Sequence, residues 1–218
     1  MHCAGLHHEE GGAFMNMPCL VTVDLQVDFL PGNPFGREEN EKVSKKAGRL
    51  CEAFRKKGFP IVHVVRIYLP DGSNAEPFRR SSIVSKGGPV LAYSRGSQLA
   101  PDLLESPIEL DVPLLLAGKP QWLGPSECII YKSRFGAFYK TCLEEVLMRL
   151  GASTLVFSGS NFPNCPRSSI YEACERDYNI IAAEDAISGL YERGKKELEN
   201  IGVMLMKVDE IISTLSAL

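Results

Sequence analysis

A chain of 218 residues with 44% apolar content is long enough to bury one sizeable core, and it predicts a single domain. Its 24 basic and 27 acidic residues leave a net charge of −3, which supplies no basic footprint for nucleic acid, so small-molecule chemistry is the expectation. No stretch approaches the about 18 consecutive apolar residues of a membrane span, and the leader holds glycine, histidine and glutamate where a secretory signal needs an apolar core; a cytoplasmic protein without nucleic-acid or membrane partners is expected.

Residues 1–17 carry His2, Cys3, His7 and His8 without an apolar pattern, and are read as a flexible extension rather than a metal site, with the folded domain running from 18 to 218. Short apolar runs then recur at Cys19–Val23, Pro60–Val65, Cys128–Tyr131, Thr154–Ser158, Asn179–Ala183 and Val203–Met206, each the length of a buried strand. Between them Glu38–Lys57, Gly136–Leu150, Cys165–Arg176 and Tyr191–Asn200 predict helices, and Val208–Leu218 a last one. Gly58, Gly151 and Gly202 follow helical stretches where a left-handed cap is needed. Alternation of this kind is the pattern of βαβ units and a mainly parallel sheet. Residues 67–127 break it with Pro70, Pro77, Pro89, Pro101, Pro107, Pro113, Pro120 and Pro125; so long a connection is expected to be functional or irregular, with a short helix over Gly96–Leu104 and a hairpin or lid from Pro113–Trp122.

The seven cysteines are an odd number without metal-finger spacing, so reduced thiols are the default. Cys19 and Cys128 in strands, and Cys51, Cys142 and Cys174 in helices, read as small apolar packing groups. Cys165 differs, because it stands just past a buried strand at the mouth of a helix, where backbone N–H groups and the helix dipole favour thiolate. Ligands of open α/β sheets bind at the carboxyl ends of strands. The first strand runs into Asp24, the third into Lys132, and the fourth into the loop before Cys165. If those strands are neighbours, an acid, a base and a thiol share one cleft: Lys132 favours the thiolate, and Asp24 takes the thiol proton and returns it to a leaving amine. Free N–H groups at the helix start suit an oxyanion, which together fits acyl transfer from an amide to water. Each residue also has a plainer reading, Cys165 as one more buried thiol, Asp24 as a loop cap and Lys132 as a solvated strand end. Gln26 and Asp28 read as loop support for Asp24, and His63 as a hydrogen-bonded core residue.

The segments Val23-Asp24-Leu25-Gln26-Val27-Asp28-Phe29, Tyr131-Lys132 and Gly159 to Arg167 around Cys165, in that order, resemble the isochorismatase-like cysteine hydrolase superfamily. That group includes nicotinamidases, N-carbamoylsarcosine and ureidoacrylate amidohydrolases, and isochorismatases. The likeness extends from Cys19 to Met206 and includes Glu184-Asp185-Ala186. It implies a three-layer α/β/α fold with a six-stranded, mainly parallel, doubly wound sheet, and a triad of Asp24, Lys132 and Cys165. It also implies a cis peptide bond between Ser160 and Asn161, an oxyanion hole from the amides of Asn161 and Cys165, no cofactor, and a homodimer or homotetramer. The substrate so implied is a small amide or ureide, cleaved at C–N through a thioester. Isochorismatase-type vinyl-ether hydrolysis and a non-catalytic binding role on the same fold are the alternatives.

Departures from the family pattern bear on substrate. The loop Ser160-Asn161-Phe162-Pro163-Asn164-Cys165-Pro166 has Phe162 and Pro163 stiffening the approach to the thiol, and Pro166 expected at the first helical position, where its missing N–H is harmless. Val65-Arg66-Ile67-Tyr68-Leu69-Pro70-Asp71-Gly72 lacks the metal-binding Asp-x-His of nicotinamidase-like members, and no histidine follows His63, so no metal is expected. Arg66, Arg79 and Arg80 are instead read as a basic rim for a carboxylate or ureide. Gln26, Phe29, Arg66, Tyr68, Phe135 and Phe162 are the candidate substrate contacts, and Trp122 a further core or lid aromatic.

Overall fold

The computed structural model describes residues 15–218, so the expected His/Cys leader with His2, Cys3, His7 and His8 lies outside the described residues. Strand β1, Pro18–Val23, is buried along its whole length, as are β2, Ile61–Val65, and β5, Thr154–Gly159. A strand covered on both faces needs apolar residues at successive positions, which is why these runs show no polar alternation. With β4 (Glu127–Tyr131), β6 (Asn179–Ile187) and β7 (Met204–Met206) they form a parallel array, and β3, Gln121–Trp122, adds an antiparallel edge beside β4. The sheet has seven strands in the order β3-β4-β2-β1-β5-β6-β7, rather than the six expected. The extra strand is the hairpin half of the Pro113–Trp122 expectation, too short to register as an apolar run.

Successive residues of β1 point to opposite faces. Leu20 enters the core beneath α1 (Glu39–Lys57) and α7 (Val208–Ala217), where Leu50, Phe54, Ile211 and Leu215 pack. Cys19, Val21 and Val23 enter the other, against α4 (Leu143–Arg149), α5 (Cys165–Cys174) and α6 (Glu192–Asn200), through Leu147, Ile170 and Leu198. Gly58 closes α1 at φ 73°, its N–H donating to the Arg55 carbonyl.

The helix expected over Gly136–Leu150 is only its second half. Gly136 lies hard against the Glu172 carboxylate, which accepts from the Phe138 N–H, and Lys140 has φ 53°; this tertiary tie holds the chain in a loop until α4 begins. The Gly96–Leu104 helix is replaced by two single turns, Arg95–Ser97 and Pro101–Leu103, because Pro101 cannot donate back into a continuous helix. Conversely, α2 (Pro77–Lys86), with Pro77 in its first turn, and α3 (Val112–Leu116), capped by Asp111, arise within the proline-rich connection.

His63 is a core residue, its ring bonded to Thr22 Oγ1 at 2.8 Å and to Glu127 Oε1 at 3.0 Å, while Arg55 holds the same carboxylate through Nε and Nη2. Burial disfavours the charge on Glu127, but the hydrogen bonds from Arg55 and His63 prevail and bring its carboxyl from 4.5 down to about 2. A carboxyl lowered in the fold stabilises above its unfolded pKa and loses that contribution as pH falls through the folded one. Urea unfolding is therefore expected to show about 3 kcal/mol lost as pH drops from 4.5 toward 2, a loss that Glu127→Gln largely abolishes. Parallel acid profiles for the two proteins would contradict it.

Candidate active site

The chain leaves β1 for β2 and β4 on one side of the sheet and returns to β5 on the other, so the carboxyl ends of β1 and β5 part and open a crevice. Asp24 sits there at φ 52°, a left-handed conformation that aspartate tolerates better than most residues, with its N–H on the Val64 carbonyl. β1 and β5 are neighbours, but β4 is not next to β1, since β2 lies between. Lys132 must therefore cross about 10 Å, two strand spacings, and its extended side chain does so over the end of β2. Its Nζ donates to Asp24 Oδ2 at 2.9 Å and to the Arg134 carbonyl at 3.3 Å, with the whole side chain 0% exposed.

Cys165 opens α5, and Pro166 is second in the helix rather than first. The loop before it is pinned on both sides: the Ser160 N–H donates to the Val23 carbonyl, and the Phe162 N–H to that of Ser188. The Ser160–Asn161 peptide bond is cis, as the resemblance implies. The N–H groups of Asn161 and Cys165 donate to no backbone or side-chain acceptor among the described residues, which leaves both for a ligand. Asn40, in the first turn of α1, clamps the arrangement by donating from Nδ2 to the Phe29 carbonyl at 2.7 Å and to Ser160 Oγ at 3.1 Å.

The electrostatics depart from the expectation that helix mouth and lysine favour thiolate. Burial first, then the negative charge of Asp24, pushes the Cys165 thiol up from 9.0 to about 11, against the pull of Lys132 and Arg66. Cys165 is only 7% exposed and Asp24 5%, so desolvation outweighs the cations. The Cys165 side chain therefore rests as a thiol, and would need a base to react. Asp24 Oδ1 is buried and accepts no hydrogen bond among the described residues, while Oδ2 is occupied by Lys132.

Of the candidate contacts, Phe29, Arg66, Tyr68 and Phe135 line the cleft, which has a volume of about 650 Å³ counted out to open solvent. Gln26 does not. It is fully buried and bridges backbone, its Nε2 donating to the carbonyls of Arg66 and Ser97 and its Oε1 accepting from the Arg66 N–H. Phe162 also turns away, into the core edge-on to Tyr191 at 5.4 Å and against Gly194 of α6. Arg80 bonds the carbonyls of Gly72 and Ser73 outside the cleft, whereas Arg79 lines it. Phe35, Arg37, Asn40, Pro89, Ser160 and Asn164 complete the wall, though none of them was among the candidate substrate contacts. The segment carrying Phe35 and Arg37 has no periodicity to mark it, and Asn40 reads as one more polar residue at a helix start.

One wall is a connected polar network. Arg66 pairs with Glu76 at 2.8 Å and donates to the Ser133 carbonyl; Tyr68 donates to Glu76 Oε2 at 3.0 Å and accepts from Arg79 at 3.1 Å. Burial pushes the Tyr68 hydroxyl up to about 12 despite the nearby Arg66 and Arg79, so it remains a donor.

The family model described as Isochorismatase domain matches residues 115–209. A protein named probable inactive nicotinamidase, from Arabidopsis thaliana, is 29% identical over 191 residues, covering 84% of this chain and 89% of its own. An N-carbamoylsarcosine amidase from an Arthrobacter species is 24% identical over 214 residues, covering 93% of this chain and 73% of its own. The crystal structure of an isochorismatase family protein from Desulfovibrio vulgaris superposes with a TM-score of 0.75 at 29% identity, over 92% of this chain and 98% of that one. With the matching domain, relatives aligned over most of their length and a solved structure that superposes over nearly the whole chain, this protein is similar in sequence and fold to isochorismatase-family hydrolases.

Proposed function

We propose that this hydrolase cleaves the C–N bond of a small amide or ureide through a thioester on Cys165. The observation that carries the reading is the convergence of Lys132, Asp24 and Cys165 from three separate strand ends beside two uncommitted amides. Asp24 takes the thiol proton as Sγ bonds to the substrate carbonyl, and the oxyanion is received by the N–H groups of Asn161 and Cys165. When the C–N bond breaks, the acid form of Asp24 hands its proton to the departing nitrogen, leaving a thioester and an amine or ammonia. Water then attacks the thioester as Asp24 removes its proton, the sulfur leaves, and the proton returns to the thiol. The sum is one amide and one water to one carboxylic acid and one amine. Lys132 holds Asp24 in place by occupying Oδ2 and directing Oδ1 to the proton transfers.

The thiol at about 11 suits this course, because a base that acts only when substrate is bound keeps the nucleophile protonated, and protected, between turnovers. Intact-protein mass after incubation with a panel of amides and ureides and an acid quench tests the reading. A mass gain equal to an acyl group, mapped to Cys165, is expected for at least one member. Ammonia release without any adduct, undiminished in Cys165→Ala, would overturn it.

A further inference from the structure

The charges lining the cleft do not cancel. Asp24, Arg37, Arg66 and Arg79 are its charged lining residues. Asp24 is paired with Lys132 and Arg66 with Glu76, so these four are neutral as two pairs. Arg79 has no carboxylate at ion-pair distance among the described residues, and Arg37 reaches only Glu39, at 3.9 Å between two well-exposed side chains. A cleft with aromatic walls thus carries surplus positive charge.

Arg79 is also held still. Its guanidinium lies over Phe135 at 4.9 Å from the ring centroid and over Phe78 at 5.4 Å, and Nη1 is fixed by Tyr68, itself tied through Glu76 to Arg66. One N–H is spent on Tyr68, and the remaining donors form a planar fork of the shape that accepts two carboxylate oxygens. Fixing the fork in advance removes the ordering cost that a flexible surface arginine would bear. Its neighbour Arg80 spends its donors on the carbonyls of Gly72 and Ser73 and faces elsewhere.

We infer that Arg79 reads a carboxylate on the substrate, so that the amides cleaved are anionic: monoamides of short dicarboxylic acids, or ureides that carry an acid. The inference rests on the proposed hydrolysis for its chemistry but not for its binding. It is tested with matched pairs differing in that one charge, malonamate, succinamate and glutaramate against malonamide, succinamide and glutaramide, and N-carbamoylglycine against its ethyl ester. Each is used to protect Cys165 from iodoacetamide, read by peptide mass, so that no turnover is needed. At least one carboxylate should protect at about tenfold lower concentration than its neutral partner, the factor that 1.4 kcal/mol of charge-assisted bonding provides. Arg79→Gln should erase that preference, Arg79→Lys should keep part of it, and Arg80→Gln should keep it in full. Equal protection within every pair, or a preference that survives Arg79→Gln, would sink the assignment. A preference without ammonia release would uphold the carboxylate site and count against hydrolysis alone, whereas turnover of neutral and anionic members with equal KM would do the reverse.

Discussion

Cys165→Ala is expected to lower kcat by about four orders of magnitude or more on whichever substrate leaves the acyl adduct, with thermal stability nearly unchanged. The size follows from the proposed role, in which no thioester forms without Sγ and what remains is water positioned near two amide donors. The small stability effect follows from the surroundings. Cys165 opens α5, and the hydrogen bond that steadies this turn, from Ser169 Oγ, goes to its backbone carbonyl, which alanine retains. A companion result separates a base-activated thiol from a standing thiolate. With the thiol at about 11, alkylation of Cys165 by iodoacetamide should accelerate close to tenfold per pH unit from neutrality upward and level off only near pH 11. A rate already flat at neutral pH would mean that the cations had prevailed over burial. Initial-rate assays, calorimetry and peptide mapping across pH together check both.

The second large effect is at Lys132. Lys132→Met keeps the length of the stem but deletes the charge, stranding Asp24 at 5% exposure with neither oxygen paired. Breaking a buried pair from one side costs about 3–5 kcal/mol, because the surviving charge has lost both water and partner. Loss of the Asp24 position should also remove nearly all turnover. Asp24→Asn in the same chain should recover much of the stability, since a neutral amide tolerates the dry site, while activity stays absent. Denaturant titration of the two single variants and the double variant gives the cycle. Additive losses, or wild-type turnover in Lys132→Met, would mean that the contact is incidental.

What sequence reveals here follows from what each residue has to satisfy locally. Asp24, Lys132 and the Cys165 loop each follow a continuous apolar run, so the strand that places them is visible in the residues themselves, and the rule about strand ends does the rest. That Lys132 must vault β2 is not visible, because the order of strands is a property of the whole sheet. Gln26 and Phe162 show the limit for single side chains. A polar residue near Asp24 and an aromatic beside Cys165 look like substrate contacts; Phe162 fills core instead, and Gln26 satisfies backbone groups, the loop support that its position also suggested. Phe35, Arg37 and Asn40 reach the cleft by the path of an aperiodic loop and the first turn of α1, which no local pattern specifies. The helix expected at Gly136 fails for a related reason, since its competitor is Glu172, distant in sequence.

The reach of Lys132 has a consequence for how the protein becomes active during folding. Its partner Asp24 is 108 residues away in sequence, and the contact exists only once β2 has been laid between their strands. Closing so long a loop is favourable only late, after nearer contacts have offset its entropy. The carboxylate–ammonium contact should therefore be among the last to form, and the recovery of turnover during refolding should lag behind the recovery of helical circular dichroism. Catalysis in this chain would then serve as a clock for the final closure of the sheet.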